Sequence, residues 1–373
     1  MHTAWRFALF LTVVLALWTG MHAYALWRIW PLVPRLAGRR ALLIVFAALW
    51  VLYPLGRILV HWGQPRAGAF VEALGAAWMG TLFLAFACLL LADLLTGFGW
   101  LLPRHALALR LGALVAACLL SLAALVQGLR APIVSEVQVT LTGLPPALDG
   151  TVLVQLSDLH LGGILGRTWL EHRIAQVQAL HPDLIAVTGD LVDGDVGEVE
   201  SLLPSLQKLR APLGVWAVTG NHEFYAGADR CVALMERAGF TVLRDRAQEA
   251  APGLVLAGVD DLTARRQFKL DGDPLARALE NRQAGATVLL CHSPLQAERA
   301  EALGVGLMLS GHTHAGQVWP FGVLVRMAYP RLQGRYNLGH MVLLVSRGTG
   351  TWGPPMRLFQ PSEILRITLN ARQ

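Results

Sequence analysis

Ser310-Gly311-His312-Thr313-His314-Ala315-Gly316-Gln317 is the most chemically pointed segment of the chain. It follows Val305-Gly306-Leu307-Met308-Leu309, a short apolar run that reads as a buried strand. Two histidines stand one residue apart in a glycine-flanked turn. In an extended turn alternate side chains point the same way, so both imidazoles can face one point. Neutral imidazole is a good ligand for transition metals. Histidine pairs also occur in ordinary loops, so the reading depends on what the rest of the chain brings to this point.

Moving outward toward the N-terminus, the same arrangement recurs four times. Residues 151–156 read as a strand delivering Asp158-Leu159-His160. Residues 183–188 read as a strand ending in Gly189-Asp190-Leu191-Val192-Asp193-Gly194. Residues 214–219 lead into Gly220-Asn221-His222-Glu223, and residues 286–290 into Cys291-His292-Ser293-Pro294. Residues 137–141 and 253–259 add two further strands. Helical periodicity covers residues 169–180, with Thr168 as a candidate N-cap, and residues 199–209 and 229–239. In open α/β sheets, ligands bind outside the carboxyl ends of strands. One polar strand end is routine capping chemistry. Five carrying His, Asp or Asn argue for one shared site.

The first third has a different grammar. The chain of 373 residues is 54% hydrophobic and 15% charged, against about 25% charged for a soluble domain. Residues 1–135 hold ten arginines but only two acidic residues, Glu72 and Asp93, so that part carries about +8 and the remainder about −2. The high pI therefore belongs to the apolar part and gives no support for nucleic-acid binding. Runs at 7–26, 41–60, 69–91 and 107–125 predict four transmembrane helices. The first is long for a signal peptide and further spans follow it, which favours an anchor. Glu72 falls near one end of the third run and Asp93 just past the other. No ionisable residue falls mid-span, so the helices read as an anchor rather than a conduction path. Trp27, Trp30, Trp62 and Trp100 flank the runs, as interfacial aromatic belts do. Six loop arginines (Arg28, Arg35, Arg39, Arg40, Arg104 and Arg110) against four (Arg6, Arg57, Arg66 and Arg130) place the following domain on the non-cytoplasmic side of the membrane. The four cysteines form no C-x-x-C pair and imply no disulfide framework. The boundary at Arg130-Ala-Pro-Ile-Val-Ser divides a transmembrane region, 1–130, from a second domain, 136–373.

Taken together, Asp158-x-His160, Gly189-Asp190-x-x-Asp193, Gly220-Asn221-His222-Glu223, His292 and Gly311-His312-Thr313-His314 resemble the signature of the calcineurin-like metallophosphoesterases, in the family order. Ser346-Arg347-Gly348-Thr349-Gly350 and Pro355-Met356-Arg357 resemble a bacterial membrane-anchored branch of that superfamily. The resemblance implies an α/β fold: an N-terminal four-helix transmembrane region followed by a β-sandwich flanked by helices. It implies two divalent metal ions, manganese first, with iron or zinc as alternatives. Asp190 would bridge them. Asp158, His160 and His314 would complete one ion's protein shell, and Asn221, His292 and His312 the other's. The ions would hold a phosphoryl group and generate a hydroxide for in-line attack. His222 would act on the leaving oxygen and Asp193 would orient it, while Glu223 would support the loop. His172, His181 and His340 match no motif position.

Protein phosphatases of the superfamily carry arginine where this chain has Gly194, which disfavours a phosphoprotein substrate. The expected function is a phosphoric ester hydrolase of the bacterial inner membrane. Its expected partners are the lipid bilayer and a phosphate ester or diphosphate, lipid-linked or envelope-derived. A cytoplasmic-face lipid A precursor pyrophosphatase is one alternative. A non-catalytic membrane sensor or scaffold is another. Arg265, Arg266, Arg347 and Arg357 are candidates for phosphate or headgroup contacts, with solvated surface charge an equal reading for the first two.

Overall fold

A computed structural model describes residues 2–372, with side chains described from Thr12 onward. It divides into two compact units: Met1–Leu129 together with Gly353–Leu358, and Arg130–Trp352 together with Phe359–Gln373.

The first unit is built on four helices: α1 (His2–Ile29), α2 (Leu36–His61), α3 (Pro65–Thr96) and α4 (Pro103–Leu129). Pro65 and Pro103 open their helices, where the missing N–H costs nothing. Gly97, left-handed at φ 55°, closes α3. Among the described residues, Leu36–His61, Pro65–Gly99 and Pro103–Leu129 are long and apolar enough to cross a membrane. The predicted 7–26 run falls in α1, whose first residues lie outside the described side chains.

The structure corrects the placement of Asp93. It lies inside the last turn of α3, fully buried, not beyond the span. Its carboxylate takes Arg28 Nε at 2.5 Å, Arg110 Nε at 3.0 Å and the Tyr24 hydroxyl at 2.5 Å. Arg28 also lies over the Trp27 ring, 3.4 Å from its centroid. Arg57 reaches back to Glu72 at 3.1 Å. A buried carboxylate is tolerated when paired in this way.

Close backbone approach joins α2 to α3. A Cβ on Gly56 would fall 2.4 Å from the Glu72 nitrogen, and one on Gly75 would fall 2.4 Å from the Tyr53 nitrogen. Small residues at such crossings let apolar helices pack where no hydrophobic effect drives them together.

The second unit runs β1 (Ile133–Leu141), β2 (Thr151–Leu156), α5 (Arg167–Gln178), β3 (Leu184–Thr188), α6 (Val196–Glu200), α7 (Leu203–Leu206), β4 (Val215–Val218), α8 (Asn221–Ala226), α9 (Ala228–Arg237) and β5 (Thr241–Val242). It continues with β6 (Arg246–Ala251), β7 (Leu254–Gly258), α10 (Leu262–Phe268), α11 (Pro274–Leu279), β8 (Ala286–Leu290), α12 (Ala297–Ala302), β9 (Leu307–Ser310), α13 (Phe321–Ala328), β10 (Gly334–Leu338), β11 (Met341–Val345) and β12 (Glu363–Ala371). The α/β expectation holds. The predicted helix at 199–209 is two short helices instead, and the helix predicted from residue 169 starts at Arg167, with Gly166 rather than Thr168 before it.

Among the described residues the strands form two six-stranded sheets, ordered β1-β12-β2-β3-β4-β5 and β10-β11-β9-β8-β7-β6. β2, β3 and β4 run parallel in the first, and β7, β8 and β9 run parallel in the second. One buried cluster draws on both sheets: Leu153, Leu184, Trp216 and Ile367 from the first, and Leu256, Val288, Leu307 and Leu344 from the second. Each such aliphatic side chain contributes roughly 1.5–3 kcal/mol by leaving water. The outer face of the first sheet is covered by Ile174 and Val177 of α5 and Leu234 and Met235 of α9. Gln155 on β2 donates from one amide nitrogen to the Thr188 hydroxyl at 2.8 Å and to the Ser310 carbonyl at 3.0 Å. The carboxyl ends of the parallel strands of both sheets are tied together there.

Gly75→Ala should lower the thermal stability of the full chain in detergent by about 1–3 kcal/mol, because backbone atoms have to move. Gly112, which has open space around it, is the control: Gly112→Ala should be neutral or stabilising by up to about 1 kcal/mol. Equal effects from the two changes would refute the close-packing account.

Candidate metal centre

Each predicted ligand sits just past a parallel strand: Asp158 and His160 after β2, Asp190 after β3, Asn221 after β4, His292 after β8, and His312 and His314 after β9. The chain turns sharply at these ends. Asp158, His160, Asp190, His312 and His314 all take left-handed backbone, with φ of 55°, 46°, 51°, 71° and 47°. Asp and His tolerate this region better than most residues, yet each still costs roughly 1–3 kcal/mol. Five such residues in one place mark a site whose geometry the surrounding fold imposes.

Among the described residues three groups of donor atoms result: Asp158, His160 and His314; Asp190, His292 and His312; and His160 with Asp193 and His222. His160 Nε2 lies 3.0 Å from His314 Nε2, which lies 3.3 Å from Asp158 Oδ1. His292 Nε2 lies 3.0 Å from Asp190 Oδ2 and 3.2 Å from His312 Nδ1. Asp190 Oδ2 is also 3.8 Å from His160 Nε2, so this one oxygen stands within reach of a donor atom from each of the first two groups. Asn221 Oδ1 is buried with no hydrogen-bond partner. A buried orphan acceptor costs about 1–3 kcal/mol, and a cation relieves that cost. Mixed imidazole nitrogen and carboxylate oxygen donors suit a transition-type divalent ion.

Neighbouring groups fix each donor's orientation. His292 Nδ1 faces the Thr188 carbonyl at 2.8 Å, which selects the tautomer that frees Nε2. The His222 backbone N–H donates to Asp190 Oδ1 at 2.9 Å and leaves Oδ2 to the histidines. The His312 N–H donates to Asp158 at 2.9 Å. Gly311 makes that approach possible, because a Cβ there would fall 1.9 Å from Ser157 Oγ and 2.2 Å from Asp158 Oδ2. Beneath the site, Glu223 is fully buried and accepts the backbone N–H groups of Asp190 (2.9 Å), Val192 (2.9 Å) and Gly220 (2.6 Å).

Electrostatics divide the histidines into two kinds. Burial lowers His160 and His312 to about 4, so both are neutral imidazoles near neutral pH, the form that binds metal. Burial also disfavours charge on His222, but Asp190 and the Asp193 hydrogen bond outweigh it and raise it to about 9. His222 Nδ1 lies 3.0 Å from Asp193 Oδ1. Burial raises Asp158 to about 6 despite the opposing charge of His292, with Asp190 adding to the rise.

Other expectations fare differently. Arg265 is buried in an ion pair with Asp245, Arg347 pairs with Glu363, and Arg357 is wholly buried, so these three are not open phosphate binders. Arg266 is exposed. Cys291, beside a donor histidine, is fully buried with its thiol toward the Ser293 carbonyl. Sequence reasoning missed Trp352, whose ring meets His222 edge-on at 5.9 Å, and Gln317, which holds the Trp352 N–H and carbonyl at 2.9 and 3.0 Å. It also missed Tyr329, packed against His312 at 4.7 Å. Gln317 closes the opening motif, the one available signal for it.

The profile of the calcineurin-like phosphoesterases matches residues 151–316. An uncharacterized metallophosphoesterase of Aquifex aeolicus is 35% identical over 227 residues, 59% of this chain and 85% of that one. The chain belongs to the calcineurin-like phosphoesterases. It is also 35% identical over 269 residues to a transmembrane protein with metallophosphoesterase domain from Danio rerio, covering 69% of this chain and 62% of that one. An uncharacterized metallophosphoesterase of Helicobacter pylori is 34% identical over 246 residues, 65% of each chain. The chain thus spans somewhat under two thirds of these last two phosphoesterases. The presence of a fish protein among the relatives extends this group of phosphoesterases beyond bacteria.

Glu223→Ala should strand three backbone N–H groups and lower stability by several kcal/mol, at about 1–3 kcal/mol each. Glu223→Gln, which keeps the carbonyl acceptor, should lose less. Chemical denaturation of metal-free protein reads both. If Ala and Gln cost the same, the side chain is not the scaffold for this loop.

Proposed function

We propose that the chain is a membrane-anchored, metal-dependent phosphoesterase whose two ions are held by Asp158, His160, Asp190, Asn221, His292, His312 and His314. The observation that carries this reading is Asp190 Oδ2, shared between His160 and His292. A carboxylate in that position is placed to hold two ions, with Asp158, His160 and His314 on one side and Asn221, His292 and His312 on the other. When bound, such a pair supplies Lewis acidity toward a phosphoryl group and a water acidic enough to attack near neutral pH. The two sheets sharing one core fit the sandwich expected of the family.

His222 holds the catalytic proton. Asp193 fixes its Nδ1, so Nε2 is the atom that faces the leaving oxygen. The Asp193 carboxylate at Nδ1 favours the protonated form, the state a general acid needs. The neutral imidazoles at 160 and 312 each keep a ring lone pair for a metal ion.

Residues 1–130 serve as the anchor, α1 included as a fourth span, and residues 136–373 as the catalytic domain. Helices of membrane-crossing length in the same chain favour a lipid-linked or envelope phosphate ester or diphosphate. Filled donor positions weigh against the sensor or scaffold alternative. The arginine bias puts the catalytic domain on the non-cytoplasmic side, which weighs against the lipid A precursor reading.

Metal analysis and kinetics on one set of variants test the site. Wild-type protein should hold about two divalent ions, manganese foremost. Asp190→Ala should lose ions and all activity together. His222→Ala should keep the ions and lose roughly 10²–10⁴ in turnover, least for esters with acidic leaving groups. Loss of ions in His222→Ala would make His222 a ligand, and an equal loss for all leaving groups a phosphate binder, rather than an acid. A C-terminal alkaline phosphatase fusion should be active and a C-terminal fluorescent fusion dark; the reverse would place the site in the cytoplasm.

A further inference from the structure

The catalytic unit exposes a continuous set of large apolar side chains around its donor loops. None of the eight residues of α13 is buried. Gly322, Val325 and the following Tyr329 are its partly covered side; Val323, Leu324 and Met327 fall on the opposite face and are 64%, 58% and 81% exposed. The helix starts beside the histidine loop, where a Cβ on Gly316 would fall 2.1 Å from the Gly322 Cα. It ends at Tyr329, whose ring packs on His312. Trp319 and Phe359 continue the patch, half or more exposed, with ring centroids 6.3 Å apart. Trp352, 52% exposed, joins it to His222.

Contiguous exposed apolar surface rimming a site marks an interaction face. Three observations select a lipid surface as what covers it. In sequence, two of its aromatic residues, Trp352 and Phe359, flank Gly353–Leu358, the segment that belongs to the helical unit. Its composition is aromatic and aliphatic with one exposed cation, Arg326, on the flank of α13, the pattern of an interfacial helix. The same chain carries helices of membrane-crossing length, so a bilayer is its permanent neighbour.

We infer that the outer face of α13, with Trp319, Trp352 and Phe359, docks at the headgroup–acyl boundary of the bilayer, with Arg326 meeting lipid phosphate. Docking presents the donor loops to headgroups at the lipid surface. The docking needs no particular substrate; its use to collect a lipid phosphate rests on the function proposed above.

The full chain in nanodiscs of phosphatidylcholine and phosphatidylglycerol tests it. Cys88→Ala and Cys118→Ala remove the cysteines that are not fully buried. Bimane is then placed at Leu324→Cys, at Met327→Cys, or at Arg210→Cys, an exposed position before β4 and so at the strand ends opposite the donor loops. Chain-brominated lipids should quench the label at 324 and 327 and spare it at 210. Absence of quenching at both sites overturns the docking. So does shielding without bromine dependence together with cross-linking through residue 327, which would make this face a contact between two copies. In a second arm, Val323→Glu/Leu324→Glu/Met327→Glu should lower kcat/KM on vesicle-embedded phosphatidate at least about tenfold and leave a soluble aryl phosphodiester unchanged. Equal rates on both substrates would overturn the role of the face in catalysis. Quenching without any turnover of lipid phosphate by wild type, soluble turnover being intact, would leave the docking standing and remove the lipid-linked substrate.

Discussion

The carboxylate of Asp190 is the constraint on which the site depends. Both oxygens are committed, Oδ1 to the His222 N–H and Oδ2 to His292 and His160. Its own backbone N–H is held by Glu223. Three carboxylates, Asp158, Asp190 and Glu223, are therefore packed in a region almost closed to water. Isolated buried anions are too costly to persist. Burial raises Asp158 to about 6 and Glu223 to about 7, and the surrounding carboxylates raise His292 and His222 against the effect of their own burial. Divalent cations answer the same demand with more charge in less space.

The fold supplies this arrangement by bringing the parallel strands of two mixed sheets to one edge. Parallel strands all finish on the same side, so each strand adds a donor loop to a common rim. The turns that follow are tight enough to force left-handed backbone at five donor residues. Strain of that kind persists only where surrounding structure over-determines it. Gln155 bridges the sheets, the Thr188 carbonyl bears on His292, and Gly311 lets Asp158 sit against the next loop. The rigid core shared by both sheets is thus the reason a constellation spread from residue 158 to residue 314 keeps its spacing.

What could be read from the sequence follows from which interactions are local. Short apolar runs ending in Asp, His or Asn are local patterns, and the strands bearing the donors were legible within two residues. The helix at 199–209 was misjudged because Leu202 and Leu206 keep helical spacing across a break that tertiary packing imposes. β12 went unread, although Ile364, Ile367 and Leu369 are fully buried, because its partners are β1 and β2, more than 200 residues away. Asp93 was placed outside its helix because apolar windows stop at a charge. Arg28 and Arg110, which make that charge tolerable, are distant in sequence. The roles of Trp352 and Tyr329 depend on contacts between loops, which no local pattern encodes.

The donor set accounts for phosphoryl chemistry but cannot by itself select a substrate, because any phosphate ester presents the same oxygens to it. Selection falls to the rim. Arginine is the usual means of holding a phosphate by its geometry, yet Arg265 and Arg347 are committed to carboxylates and Arg357 is buried. The position after Asp193 is glycine. The side chains that border the donor loops are instead Trp319, Trp352, Phe359 and the outer face of α13, which offer area rather than charge. Such a rim gains little from a small hydrophilic ester and more from one whose alcohol portion is apolar, at roughly 25 cal/mol for each Å² removed from water. On the function proposed here, discrimination therefore rests on the part of the substrate that does not react. Apolar contact made before bond breaking and kept through it lowers KM without raising kcat, so the preference should be written in KM.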